Sequence, residues 1–180
     1  MKTLIIDNYD SFTFNLFQCL AAVNEREPIV VRHDDLTVEG VRRLDVDNIV
    51  ISPGPGRPDC ERDFGVCADV LRQLDIPTLG VCLGCQGLGS VFGATIARAP
   101  EPMHGRISTI HHNGSELFRS IPPAFRAVRY HSLIVVDGLP EVLEKIAWTD
   151  DGLIMALRHR TRPLWGARGV CQPKRSAPSV

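Results

Sequence analysis

Short apolar runs alternate with helical patterns along the first half of the chain. Between the runs, apolar residues recur at helical spacing after Asp10-Ser11 and again after the ERD of residues 61–63. The runs themselves are rich in Ile and Val and are typical of buried strands: KTLIID, EPIVVR, DNIVISP and IPTLGVC, which begin at residues 2, 27, 47 and 76. This exchange of strand and helix predicts βαβ units and a mostly parallel sheet covered on both faces.

From about Ala94 onward the pattern changes to short alternating runs joined by Gly, Asn and Pro turns. RISTIHHNGSELF, AVRYHSLIVVDGLP and GLIMALRHRTRPLWG are examples, beginning at residues 106, 127 and 152. They predict strands that are added to the sheet or folded back in hairpins. The last residues lose apolar periodicity, so we expect residues 167–180 to form a divergent, disordered tail.

Composition narrows the class of protein. The 180 residues are 44% hydrophobic, which suits one domain with a sizeable core. A net charge of -1 gives no electrostatic case for nucleic acid or an anionic membrane, and no segment resembles a signal peptide or a membrane span. We therefore expect a cytoplasmic protein with a small-molecule or protein partner. The six cysteines lack the spacing of a disulfide framework.

The stretch Gly80-Val81-Cys82-Leu83-Gly84 has the layout of a nucleophile elbow, with a thiol in place of the usual serine. At such a turn a strand passes directly into a helix, and the nucleophile projects into a cleft. The helix N-terminus favours the reactive thiolate, and the backbone N–H of Leu83 would point where an oxyanion could form. The pattern favours Cys82 as a nucleophile.

A second turn, SPGPGRP at residues 52–58, follows the preceding predicted strand. Gly54 and Gly56 let the backbone take conformations closed to other residues and let a ligand approach the main chain. Ligands gather at the carboxyl ends of the strands in an open α/β sheet, so this turn is a second candidate binding element. A rigid loop without function is the alternative.

Cys82 and Cys85 also form a CxxC pair. A redox pair would occupy the same strand-to-helix position, so the placement leaves this alternative open. A zinc site is weaker, because one CxxC supplies two of four ligands, and the adjacent His111 and His112 would point apart on a strand. We expect neither a metal nor another cofactor.

Several motifs together resemble the class I glutamine amidotransferases, in particular the subunit or domain of anthranilate synthase and aminodeoxychorismate synthase. They follow one another in the family's order over about residues 1–166: DNYDSFTFNL, ISPGPGRP, GVCLGCQG, PMHGR, YHSL and RPLWG. GRPDCERDFGVCADVL and RAPEPMHGR are more similar to the aminodeoxychorismate branch. The resemblance implies one amidotransferase domain over residues 1–166, with a flavodoxin-like or Rossmann-like three-layer α/β fold, a doubly wound sheet and added antiparallel strands.

The resemblance also implies roles for individual residues. Cys82 matches the nucleophile that attacks the side-chain amide of L-glutamine, releases ammonia and leaves a glutamyl thioester for water to cleave. The ammonia passes to a chorismate-binding synthase subunit or fused domain, and the motif HGR at residues 104–106 would lie near that route. Gly56 and Leu83 match the oxyanion donors. The positions that match contacts to glutamine are Gly54, Gly56, Leu83, Gln86, Ser132 and Leu133.

Two further residues of these motifs need not be functional. The family usually has His where this chain has Cys85, and that His is not the catalytic base. Cys85 is therefore interpreted as a replacement at a packing position. His131 neighbours the glutamine-contacting residues, but a hydrogen-bonded core histidine explains it at least as well.

The chain departs from the family after Gly166. Relatives continue with GVQFHPES, whose His is the general base and whose Glu orients it. Here the chain continues ARGVCQPKRSAPSV, so Val170 and Gln172 stand near those positions. No histidine follows His159 and no acidic residue follows Asp151. We expect severely impaired glutamine hydrolysis.

Three explanations of this departure remain open. The tail could be a truncation or an altered reading frame; the chain could be a pseudo-amidotransferase that binds a partner without catalysis; or another residue could replace the base. His159 lies about 11 residues too early for that role on an extended chain. His131 would have to reorient.

Overall fold

The computed structural model describes residues 1–168, apart from the side chains of residues 100–104, 130 and 131. The strands in this part of the chain are β1 Thr3–Asp7, β2 Ile29–Arg32, β3 Asn48–Ile51, β4 Thr78–Val81, β5 Ile96–His112, β6 Ala124–Val135, β7 Leu143–Thr149, β8 Ile154–His159 and β9 Leu164–Ala167. The α-helices are α1 Thr13–Asn24, α2 Val38–Leu44, α3 Glu61–Phe64, α4 Val66–Gln73 and α5 Leu83–Val91, and a short 3-10 helix spans Glu116–Phe118. Residues 169–180, which make up most of the predicted tail, lie outside the described residues.

One sheet contains all nine of these strands, in the order β2-β1-β3-β4-β9-β8-β7-β5-β6. The first five strands in this order are parallel to one another. The other four continue the sheet in antiparallel fashion. The four apolar runs have become β1 to β4, and the alternating runs of the second half supply the antiparallel strands. Both predictions about the sheet are confirmed.

Helices cover both faces of the parallel half, as a doubly wound sheet requires. Leu4 and Ile6 of β1 face a core that includes buried residues of α2, α4 and α5. Ile5, between them, faces a smaller cluster that includes Leu16 and Leu20 of α1. Successive side chains of a strand point to opposite faces, so a continuous apolar run is needed to bury both.

The helical pattern that follows residues 61–63 is interrupted at Gly65, which separates α3 from α4. Gly65 has φ 42°, and a Cβ placed on it would lie 2.4 Å from Nδ1 of His33. Glycine therefore satisfies both a left-handed backbone and a close contact with the end of β2. Apolar periodicity does not reveal this break, because the buried positions continue on its far side.

β9 joins the two halves of the sheet, since it is parallel to β4 and antiparallel to β8. Leu164 of this strand is fully buried in the main core. Just before it, Arg162 donates hydrogen bonds to the carbonyl oxygens of Leu71 and Leu74, at 2.8 and 2.7 Å, and so ties the strand to the end of α4. In the described part of the chain, no helix is long and apolar enough to cross a membrane.

Leu164→Ala tests the importance of β9 for the core. Removing this buried side chain should lower the free energy of unfolding by about 2–5 kcal/mol, because it leaves a cavity in the main core. Urea denaturation measures the change. The control is Val23→Ala, since Val23 is 80% exposed and its truncation should change stability by no more than about 0.5 kcal/mol. Equal stability losses in the two variants would contradict the central position of β9.

Candidate active site

Cys82 lies at the sharp turn between β4 and α5. Its backbone has φ 52° and ψ -97°, a conformation that is strained for any residue with a side chain. The Cys82 N–H donates to the carbonyl oxygen of Ala167 at 2.9 Å, and the Cys82 carbonyl accepts from the N–H of Gln86 at 3.0 Å. The backbone has the elbow geometry expected from the glycine pattern, with the thiol at the carboxyl end of a central strand.

Glycines make this turn possible by allowing backbone to approach backbone. A Cβ placed on Gly80 would lie 2.4 Å from the carbonyl carbon and oxygen of Gly84. A Cβ on Gly84 would lie 2.8 Å from the carbonyl oxygen of Ile51 in β3. Neither position has room for a side chain, so α5 packs directly on β3 and β4. The glycines that flank Cys82 therefore set where its thiol is held.

The PGPG turn packs against the elbow. A Cβ on Gly54 would lie 2.8 Å from Cδ2 of Leu83 and 2.5 Å from Cβ of Asn8, so the turn sits beside the residue that follows the nucleophile. Gly56 has φ 90°, which is open to glycine and strained for other residues, and a Cβ there would lie 2.2 Å from Oδ2 of Asp63. The two predicted binding turns are thus adjacent.

Asn8 fixes the start of this turn, although the sequence pattern does not single it out. Its N–H donates to Oγ of Ser52 at 2.8 Å, and its Nδ2 donates to the Ser52 carbonyl at 2.9 Å. Both residues are buried. The available signal is position alone: Asn8 directly follows β1, at the same edge of the sheet as the two turns.

Ser132 and Leu133 lie near the end of β6. Together with Arg57, Arg98 and Ala99 they line a cavity of about 350 Å³. The structure therefore places the predicted glutamine-contacting residues of β6 across a cavity from the PGPG turn. Gln86 is buried in α5, four residues after Cys82, and is not among the residues that line this cavity.

The two cysteines of the CxxC pair differ in environment. Burial raises the pKa of the Cys82 thiol, and the nearby Asp10 raises it further, whereas the charge of Arg168 and a hydrogen bond from the Leu83 backbone lower it. Cys85 is fully buried in the main core, where burial raises its thiol pKa to about 12. Cys85 takes part in no disulfide among the described residues. The surroundings of Cys85 support a packing position.

Arg168, the residue after β9, is the functional candidate that sequence patterns do not reveal. It is only 2% exposed. Its guanidinium donates to the carbonyl oxygen of Leu133 and, at 3.5 Å, to that of Ile154. Burial lowers the pKa of this guanidinium. The topology alone suggests that a charged side chain lies at the carboxyl end of β9, next to β4. It does not reveal that this side chain is buried.

His159 lies at the opposite end of the strands from Cys82. Ala167, which pairs with Val81 on one side, pairs with Ala156 on the other. β8 then runs away from that end for three more residues, or about 10 Å, before it reaches His159. Nδ1 of His159 accepts the N–H of Arg162 at 3.1 Å, which fixes the ring there. This position does not suit a general base for Cys82.

The remaining predicted positions lie outside the described residues. They are the side chains of His104 and His131, and Val170 and Gln172, which stand near the family's His and Glu positions.

Comparison with known proteins agrees with this geometry. The family model for glutamine amidotransferase class-I matches residues 4–167, and the chain therefore belongs to this family. The predicted family resemblance is confirmed. The structural features that mark this chain as a member of the class are the thiol elbow and the doubly wound sheet.

Curated relatives carry the names of two synthases. Aminodeoxychorismate synthase of Streptomyces griseus is 52% identical over 168 residues, which cover 93% of this chain but 23% of that protein. Anthranilate synthase component 2 of Methanothermobacter marburgensis is 48% identical over 169 residues, covering 91% of this chain and 86% of that protein. The chain thus spans less than a quarter of the first relative and most of the second.

Two solved structures support the fold. A putative GMP synthase protein of Thermoplasma acidophilum superposes with a TM-score of 0.81 at 22% identity, covering 94% of this chain and 83% of that one. A glutamine amidotransferase of Thermotoga maritima superposes with a TM-score of 0.78 at 15% identity, covering 94% of this chain and 75% of that one. These likenesses confirm the predicted amidotransferase-like α/β architecture.

Gly84→Ala tests the backbone packing beneath the elbow. The added methyl group would press on the Ile51 carbonyl, so the free energy of unfolding should fall by about 1–3 kcal/mol. Gly40→Ala in α2 is the matched helical control, because a Cβ there would meet only the Leu36 and Thr37 side chains. Thermal and urea unfolding measure both variants. A Gly84→Ala protein as stable as the control would show that the close approach is not required.

Proposed function

We propose that this domain is the glutamine-hydrolysing part of a synthase that aminates chorismate. The Sγ atom of Cys82 attacks the side-chain amide carbon of glutamine, the C–N bond breaks, and ammonia leaves with a proton from the thiol. Water then cleaves the thioester to glutamate. The ammonia passes to a chorismate-binding synthase subunit or fused domain, which forms 4-amino-4-deoxychorismate or anthranilate. The strained elbow conformation of Cys82 carries this proposal, and the names of the two relatives support the choice of synthase.

The surroundings of Cys82 support the assignment of the other roles. The Leu83 backbone already hydrogen-bonds to the thiol, and Gly56 lies on the turn packed beside Leu83. We assign their N–H groups to the oxyanion of the tetrahedral intermediate. We assign glutamine binding to Gly54, Gln86, Ser132 and Leu133. The exposed Arg98 lines the cavity with Ser132 and Leu133, which suits the carboxylate of a free amino acid.

We further propose that hydrolysis by this chain is severely impaired. Thiol attack needs a base that takes up the thiol proton and returns it to the leaving ammonia. The guanidinium of Arg168 cannot accept a proton, and carboxylates in general are weak bases toward a thiol. No histidine follows His159, which lies at the opposite end of the strands. These residues support a nucleophile that is retained while the family's general base is replaced.

Glutamate release from purified chain tests this proposal, with and without a chorismate-dependent synthase. We expect turnover about a thousandfold or more below that of an intact relative, because Val170 and Gln172 stand near the sequence positions at which the family has its base and its orienting carboxylate. Cys82→Ser should remove what remains, whereas Cys85→Ser is the matched thiol control and should retain it. Turnover close to that of the intact relative would refute the claim of impairment.

A partner-binding pseudo-amidotransferase is the second candidate, favoured by the retained elbow in a chain without a histidine or acidic residue after His159. It predicts a stable complex with a chorismate-binding synthase and no glutamate release, in wild type and in Cys82→Ser alike. Size-exclusion chromatography of the mixed proteins measures the complex. Two proteins that elute separately would argue against this role.

A further inference from the structure

Arg168 carries a buried positive charge that no described carboxylate neutralises. Its contacts in the described residues are with carbonyl oxygens, and its Nε atom is buried without a hydrogen-bond partner there. The nearby charged group Arg129 is itself a buried cation and lowers the pKa of Arg168 further. An uncompensated charge in a protein interior is costly. An anion next to Arg168 would therefore reduce the free-energy cost of burying its charge.

Arg168 is connected to both parts of the proposed site. The preceding residue, Ala167, accepts the backbone N–H of Cys82 at 2.9 Å. The guanidinium of Arg168 donates to the carbonyl oxygen of Leu133, on the strand assigned to glutamine binding. Two consecutive residues, Ala167 and Arg168, thus link the end of β9 to the elbow and to β6. A residue at this position therefore influences the position of the thiol relative to β6.

Among the described residues, the charged and titratable groups that act on the thiol or lie next to it belong to three parts of the fold. Arg168 follows β9, Asp10 lies in the loop after β1, and Cys85 is one turn along α5. Asp10 opposes formation of a thiolate, and the neutral Cys85 thiol does not stabilise it. Arg168 is the cation of this set, and the two thiols, not Asp10, act on it. Of these thiols Cys82 is the candidate nucleophile, so its thiolate is the anion that we consider as the counter-ion.

We propose that Arg168 is a positioning residue that holds the glutamine-binding strand against the elbow and stabilises the thiolate of Cys82 as its counter-ion. The proposal rests on Cys82 being the nucleophile. A guanidinium supplies charge and hydrogen bonds but cannot carry a proton. Arg168 therefore takes over one part of the task of a histidine base, stabilising the thiolate, and leaves out the proton transfer to ammonia. Thiol reactivity and glutamine turnover are separated in this chain.

Alkylation by iodoacetamide tests the charge directly, since it needs the thiolate and no catalytic base. Sγ of Cys82 forms a C–S bond, the C–I bond breaks, and iodide leaves. The rate at Cys82 is followed by peptide mass spectrometry between about pH 7 and pH 10 in the intact chain, a range that brackets the ordinary thiol pKa. Arg168→Gln keeps hydrogen-bond donors and removes the charge, whereas Arg168→Lys keeps the charge.

We expect Arg168→Gln to move the pH profile of alkylation upward and to slow the reaction at pH 8 by about threefold to thirtyfold. Arg168→Lys should recover much of the rate. Superimposable profiles for wild type and Arg168→Gln would overturn the proposal. It would also be overturned if the Gln and Lys variants were slowed equally, because a merely structural role does not distinguish them.

Three controls keep the result specific. Arg160→Met removes an exposed arginine that bonds the Glu141 carbonyl, and it should leave the profile unchanged. Cys82→Ser identifies the alkylated site. Far-UV circular dichroism checks that each variant is folded, and the Gln and Lys variants decide the question because each retains hydrogen-bond donors. The rates do not depend on glutaminase activity, so failure of this proposal is distinct from failure of the proposed function.

Discussion

The direct packing of α5 on the sheet is the constraint on which the rest of the structure depends. Three glycines allow it: Gly80 in β4, Gly84 in α5 and Gly166 in β9. A Cβ on Gly166 would lie 2.9 Å from Sγ of Cys85, and those on the other two would meet backbone atoms. This close approach forces the sharp turn at Cys82 and brings the helix N-terminus under its thiol. The turn, the core beneath it and the central strands are therefore one packing unit.

Burial and charge act in opposite directions on that thiol. The same packing that orients Cys82 withdraws it from water and so raises its pKa. A helix N-terminus and a nearby cation compensate in part. In this chain the cation is Arg168, which is itself disfavoured by burial. The site thus combines two groups that are each unfavourable alone in the interior and become less so together.

Much of the fold could be predicted from the sequence because its signals are local. A continuous apolar run of the length of one strand has apolar side chains on both faces and so indicates a strand buried on both sides, which predicts β1 to β4. The glycines that flank Cys82 predict the elbow. The break at Gly65 and the helix α2 were not predicted. The break at Gly65 depends on contact with His33, which is distant in sequence. Helix α2 is short, and periodicity over so few residues gives little signal.

The sequence by itself determined the family, the strands β1 to β4 and the identity of the candidate nucleophile, because each is indicated by short motifs of neighbouring residues. Only the tertiary structure decided the surroundings of that nucleophile. Arg168 lies 86 positions after Cys82, and Asn8 lies 44 positions before the Ser52 that it holds. Whether such residues meet depends on strand order and register, and whether a charge is buried depends on every element packed around it. The sequence shows that no histidine follows His159, and the fold shows that the charge of a buried arginine lowers the pKa of the thiol.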